Sequence, residues 1–337
     1  MEIIRLGKTD LQISRIGFGG IPIQKNNEEA SLALIRSLVE HGINYIDTAK
    51  AYTVSEELIG NAMEQLGVRD RFVLATKSMA RDKEGMARDI ASSLEKLKTD
   101  YIELYQVHNP TLDQLKAVCL EGGALEALME ARAAGKVGHI GVTVHSLAVF
   151  EYALTLDWVE TIMFPYNIVE TQGEHLIEAC REKDIGFIAM KPLAGGAIED
   201  ATLAVRFVCA NPFVDVVIPG MYCEAEVQQN VDAVMDKTAL NGEEMDKIAK
   251  IREELGTNFC RRCNYCAPCA AGISIPSVFL FGGYLERYGL EKWARERYAT
   301  LAVKASACID CGACESRCPY ELPIRDMLKK YATAFGE

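Results

Sequence analysis

The sequence predicts an α/β protein: an eight-stranded parallel β/α barrel filling most of the chain, followed by a small helical module. Two observations carry this. Compact apolar stretches alternate with amphipathic ones eight times over more than two hundred residues, and eight of the 12 cysteines fall in two tight runs towards the C-terminus. A length of 337 residues suits one large core and one smaller unit, because single cores stop growing near ~250–300 residues. The division is expected between 1–255 and 256–337.

A short opening pair, EIIRLG and LQISRIG, leads into the repeats. The candidate strands are RIGFGG, NYIDTA, FVLATKS, IELYQVHN, HIGVTVH, TIMFPYN, GFIAMKPL and VDVVIPG, each followed by a helical stretch such as SEELIGNAMEQLG or GMARDIASSLEKLK. Successive βα units imply right-handed crossovers, and eight of them close a cylinder. An open doubly wound sheet is the competing architecture. It needs a G-x-G-x-x-G turn after the first strand, and GFGG is too short to supply one. Between the cysteine runs, Leu285, Tyr288, Trp293, Tyr298 and Leu301 recur at near-helical intervals, the pattern of a core-facing stripe.

Composition narrows the function. No apolar run approaches the ~20 residues of a membrane helix, and the opening MEIIRLGKTD lacks the sections of a signal peptide, so a cytoplasmic protein with no membrane partner is expected. A net charge of −12 and a pI near 5.1 argue against nucleic acid as a partner. From Thr257 onward there are 11 Lys and Arg against 8 Asp and Glu, a net of +3 that leaves −15 for the rest. Cys119, Cys180, Cys209 and Cys223 are scattered singly and read as free thiols.

Reactive groups of such a barrel lie at the C-terminal ends of its strands. There the second strand ends in Asp47 with Tyr52 in the following loop, the third ends with Lys77, and the fourth with His108. Together they form a proton-delivery device for carbonyl reduction. Negative charge builds on the carbonyl oxygen and needs a proton. Tyr52 is the acid, and the Lys77 ammonium favours its phenolate. Asp47 keeps Lys77 charged and in place, and His108 orients the substrate oxygen.

These residues carry a resemblance. INYIDTAKAY, LATK, LYQVHN, HIGVT, AMKPLAGG and VIPGM followed by VQQN resemble the aldo-keto reductase family over about residues 1–255. The resemblance implies a nicotinamide cofactor, NAD(P)H, and interconversion of a small carbonyl and its alcohol, with Asp47, Tyr52, Lys77 and His108 as the tetrad. It also implies that the opening strand pair plugs the N-terminal mouth of the barrel. The sequence departs from the family at the nicotinamide: Thr143 and Val144, Met163 and Met190 replace the usual polar and aromatic contacts, and only Thr143 still offers a hydroxyl. Asn167 and Lys191 join Thr143 as expected cofactor-binding residues, a solvated strand end being the plain reading of Lys191. At the adenosine end, where NADPH-using relatives carry cations, the chain has Gly220, Met221 and Glu226, which leans it towards NADH. A solvated first-turn residue is the plain reading of Glu226. Asn230 is expected at the adenine.

The first cysteine run gives Cys260, Cys263, Cys266 and Cys269; the second gives Cys308, Cys311, Cys314 and Cys318, followed by Pro319. C-x2-C-x2-C-x3-C-P is the bacterial ferredoxin pattern, in which three cysteines serve one four-iron cluster and the fourth serves the other. Two 4Fe-4S clusters are therefore expected, one on Cys260, Cys263, Cys266 and Cys318, the other on Cys308, Cys311, Cys314 and Cys269. The first run has two residues before its fourth cysteine and Ala270 where proline is usual. Zinc is the competing metal, but two triple C-x2-C runs exceed what tetrahedral zinc needs.

Hydride transfer moves two electrons and a cluster moves one; flavin is the usual converter, the chain carries no flavin-binding signature, and a redox partner, a flavoprotein or a ferredoxin, is expected. Two alternatives stay open: clusters that are purely structural, and an electron-transfer or binding protein on a barrel with altered hydride chemistry.

Overall fold

The computed structural model describes residues 1–256 and 258–337. Among these, β1 (Ile3–Arg5) and β2 (Gln12–Ser14) form an antiparallel hairpin. Eight parallel strands follow: β3 (Phe18–Gly19), β4 (Tyr45–Asp47), β5 (Val73–Ser78), β6 (Ile102–His108), β7 (Val137–Thr143), β8 (Thr161–Pro165), β9 (Gly186–Met190) and β10 (Val216–Ile218). Each pairs with the next in chain order. Parallel bridges from Ile16 to Val217 and from Gly19 to Gly220 join the two ends of the sheet, so the barrel closes. Closure brings the chains together tightly. A Cβ on Gly19 would lie 2.9 Å from the Pro219 carbonyl oxygen, so only glycine fits there.

The connecting helices carry their own start signals. Asn27 caps Glu28–Glu40 by accepting from Ala30 N–H, Asp82 caps Lys83–Lys96, and Thr111 with Gln114 forms a capping box on Leu112–Val118. Outward-facing strand residues such as Ile46, Leu74, Tyr105 and Ile140 pack in the core that also holds helix residues such as Leu38, Ile59 and Ile90. Inward-facing Tyr45, Ala75, Leu104, Met163, Ile188 and Val216 form a second cluster, joined by Leu6 and Ile13 of the hairpin. The Lys8 N–H donates to the Asp184 carbonyl just ahead of β9, which fixes the hairpin at the N-terminal end of the barrel.

The chain divides into two compact units. The barrel unit comprises Met1–Asn167, Thr171–Leu193 and Asp200–Leu240. The second comprises Ile168–Glu170, Ala194–Glu199 and Asn241–Glu337, so it begins ahead of the 255/256 boundary expected from sequence and includes two short stretches from earlier in the chain. Its helices are Gly242–Gly256, Ile275–Glu286, Glu291–Ala299 and Ile324–Phe335. The near-helical stripe read from sequence is two helices, because Gly289 takes a left-handed φ of +61° and breaks the run. Trp293 is buried against Tyr284 at 4.5 Å, and Tyr298 stacks on Phe335 at 3.9 Å.

Candidate active site and candidate metal centres

Parallel register sets Asp47, Lys77 and His108 at the C-terminal ends of three successive strands, β4, β5 and β6. Lys77 Nζ donates to Asp47 Oδ1 at 2.6 Å and to the Thr48 carbonyl at 2.7 Å. The residues are 1% and 3% exposed. Burial pulls the Lys77 ammonium down and pushes the Asp47 carboxyl up, each opposed by the charge of the other. Asp47 is also held by Gln106 Nε2, 3.3 Å from Oδ2.

The same ammonium lies 5.0 Å from the centroid of the Tyr52 ring, where a cation meets the electron-rich face and favours the phenolate. Tyr52 meets His108 edge-on, ring centroids 6.0 Å apart. The three strand-end residues and Tyr52 of the following loop thus converge on one place. Two neighbours that sequence reading did not select support them: Gln106, at an inward position of β6, and Arg81, in the loop after β5. Arg81 Nη2 donates to the His108 carbonyl at 2.7 Å, and burial pulls its guanidinium down to about 10.

The expected cofactor contacts fall in two groups. Thr143 ends β7, and its hydroxyl accepts the Asn109 N–H at 3.0 Å, which leaves the hydroxyl proton to donate. Asn167 is buried and donates to the carbonyl of Lys191 at 2.9 Å; Lys191 holds a left-handed φ of +58°. Val144, Met163 and Met190 are buried and apolar.

In the second group, Gly220 bridges to Gly19. Glu226 Oε2 accepts the Tyr222 N–H at 2.9 Å; burial pushes its carboxyl up, opposed by that bond and by Lys25. Lys25, also absent from the sequence reading, lies 4.9 Å from the Tyr222 ring centroid. Asn230 donates to the Glu226 carbonyl at 2.7 Å, while its Oδ1 is buried with no donor among the described residues.

The cysteines sort across the two runs. Cys260, Cys263, Cys266 and Cys318 line one small cavity; Cys269, Cys308, Cys311 and Cys314 line another. All eight thiols are free of disulfides. Four thiols around one cavity are the donor set of a four-iron cluster, and each run sends its last cysteine to the other's cavity. Burial pushes Cys260 up to about 11 and Cys266 up to about 12.

Three arginines of this unit reach three consecutive residues. Arg252 Nε donates to the Ile168 carbonyl at 2.8 Å, Arg261 Nε to the Val169 carbonyl at 3.0 Å, and Arg262 Nη2 to Glu170 Oε1 at 2.7 Å. The Arg261 guanidinium also lies 3.8 Å over the Tyr320 ring, and both line the first cysteine cavity. Among the described residues, no helix is long and apolar enough to cross a membrane.

Comparison with known proteins agrees with both halves. Residues 15–202 match the aldo/keto reductase family, and residues 259–323 match a 4Fe-4S dicluster domain. The aldo-keto reductase YhdN of Bacillus subtilis is 35% identical over 194 residues, 52% of this chain and 57% of that protein. The chain thus spans little more than half of YhdN. L-galactose dehydrogenase of Arabidopsis thaliana is 26% identical over 306 residues, 75% of this chain and 95% of that protein. Among solved structures, the holo form of aldo-keto reductase AKR11C1 from Bacillus halodurans has a TM-score of 0.65 at 26% identity, covering 74% of this chain and 96% of that one.

Proposed function

Because this chain belongs to the aldo/keto reductase family and carries a 4Fe-4S dicluster domain, we propose that it interconverts a small carbonyl and its alcohol with a nicotinamide cofactor, NADH by preference, and exchanges single electrons through two four-iron clusters. The observation that carries the catalytic half is the buried Lys77–Asp47 contact beside the face of Tyr52. When bound, a reduced nicotinamide supplies the hydride and the clusters supply one-electron steps. Tyr52 gives its proton to the substrate oxygen as charge grows there. Lys77 stabilises the phenolate left behind, and Asp47 holds Lys77 in position. His108 donates a hydrogen bond to the substrate oxygen, its main chain fixed by Arg81. In the oxidising direction the phenolate takes the alcohol proton.

The acceptor Oδ1 of Asn230 supports an adenine contact, and the Glu226 carboxylate supports NADH, since it repels a 2′-phosphate. Lys25 opposes that preference. The two cysteine-lined cavities support two clusters, and a flavoprotein or ferredoxin is the partner that suits one-electron exchange. Twelve cysteines without a disulfide suit a cytoplasmic setting.

The test is made on protein purified without oxygen, with iron and sulfide confirmed, by adding NADH alone and following cluster absorption. Bleaching supports electrons passing from barrel to clusters; intact absorption with NADH bound removes the conduit and leaves the clusters structural or served by another donor. Undiminished carbonyl turnover in Tyr52→Phe overturns the catalytic half.

A further inference from the structure

We propose that Glu170 tunes the reduction potential of the cluster held by Cys260, Cys263, Cys266 and Cys318, by neutralising a guanidinium built into that cluster's own ligand loop. The proposal rests on the cluster reading above and concerns a residue outside both cysteine runs.

Arg262 sits between two ligands of one cluster, Cys260 and Cys263, in a left-handed conformation with φ +58°. Its side chain is 10% exposed. Nη1 donates to the Cys260 carbonyl at 3.1 Å, Nη2 donates to Glu170 Oε1 at 2.7 Å, and Nε is buried with no acceptor among the described residues. Glu170 is 0% exposed. Removing either charge from water alone is costly, so each requires the other. Arg262 also lies 5.5 Å from the Phe259 ring centroid, another sign that the guanidinium is held in protein and not in solvent.

A four-iron cluster with four thiolates is formally about −2 when oxidised and more negative when reduced. A buried cation beside it favours the reduced form and raises its potential; a carboxylate on that cation cancels the effect. Both charges are poorly screened where water is excluded. Arg262 reaches the first site through the Cys260 carbonyl, whereas the second cysteine cavity is lined by an arginine directly. Its Arg325 is more than a third exposed and pairs with Glu315 and Asp310 near solvent, where screening weakens the influence of charge. The second cluster therefore serves as an internal control.

The experiment is an anaerobic redox titration of the full-length holoprotein with dithionite, followed by EPR, with iron and sulfide counted in each variant. Glu170→Gln is expected to raise the potential of one cluster and leave the other in place, and Glu170→Gln with Arg262→Gln to return it towards the parent value. A Glu170→Gln protein with full iron and unshifted potentials overturns the proposal, as does an equal shift of both clusters. If Glu170→Gln loses iron from the first site, the double variant decides: retained iron with a parent-like potential supports neutralisation, whereas loss there too makes the pair structural and overturns the proposal. A parent protein without cluster iron refutes the cluster reading itself, and this proposal with it.

Discussion

Gln106 holds Oδ2 of Asp47 at 3.3 Å while Lys77 holds Oδ1 at 2.6 Å, so one buried carboxylate is gripped from two sides. The Oε1 atom of Gln106 is buried with no donor among the described residues. An orphaned amide oxygen destabilises a barrel interior, so the side chain is retained for what its other end does. Gln106→Leu should lower kcat about tenfold, the worth of one hydrogen bond to a charged group, and cost about 1–3 kcal/mol of stability, since Asp47 Oδ2 stays buried without its donor. Steady-state kinetics with a calorimetric scan check both; an unchanged kcat would detach Gln106 from the site.

Tyr52→Phe should cut carbonyl turnover by roughly two to four orders of magnitude while NADH still binds, as removal of a general acid does. Lys77→Met should behave differently. It leaves Asp47 buried without its counter-charge, so a stability loss of about 3–5 kcal/mol accompanies the loss of activity. Urea denaturation of the two variants separates proton donor from charge partner.

Acid should weaken the barrel partly through Glu160. Burial pushes this carboxyl up, but bonds from His139 and the Ile140 N–H, with Arg132 nearby, outweigh burial and hold it below its ordinary value of 4.5. A carboxyl depressed in the folded state adds stability above its unfolded value and loses it as pH falls through the folded one. The melting temperature should therefore fall below about pH 4.5, and this part of the fall should vanish in Glu160→Gln. Equal pH slopes in parent and variant would refute the assignment.

Crossed cysteine sets predict crossed losses. Cys269→Ala should remove the same EPR signal as Cys311→Ala, although it lies in the other run, and Cys318→Ala the same signal as Cys260→Ala. Each should retain about half of the iron if the clusters assemble independently. Cys269→Ala matching Cys260→Ala instead would mean that each run builds its own cluster.

At the adenosine end, Glu226→Gln should improve kcat/KM for NADPH relative to NADH, and Lys25→Ala should worsen it. Opposite signs identify a charge balance around the ribose; no change in either variant would place both residues outside the cofactor site.

The barrel was legible because each strand is a short apolar run bounded by turns, and because the strand ends carry chemistry that a core does not need. Asp47, Lys77 and His108 stood out for that reason. Gln106 carried a signal that went unread, a polar residue at an inward position of LYQVH where its neighbour Leu104 is apolar. Arg81 and Glu170 carried none, since a loop arginine and a loop glutamate read as solvated until the fold shows what covers them. The stripe from Leu285 to Leu301 marked core residues such as Trp293 and Tyr298 but not that two helices carry them, a break that Gly289 makes. The units' boundary was hidden for a related reason: Ile168–Glu170 is joined to the second unit by arginines distant in sequence.

That last feature bears on whether such a tail can be transplanted. A cluster-bearing tail looks like a cassette to be added behind any barrel, yet the unit includes Ile168–Glu170 and Ala194–Glu199 from within the barrel's stretch of chain. Grafted alone, the tail would bury Arg262 without a carboxylate and leave Arg252 and Arg261 without their carbonyls. A working transplant has to rewrite two loops of the recipient along with its end.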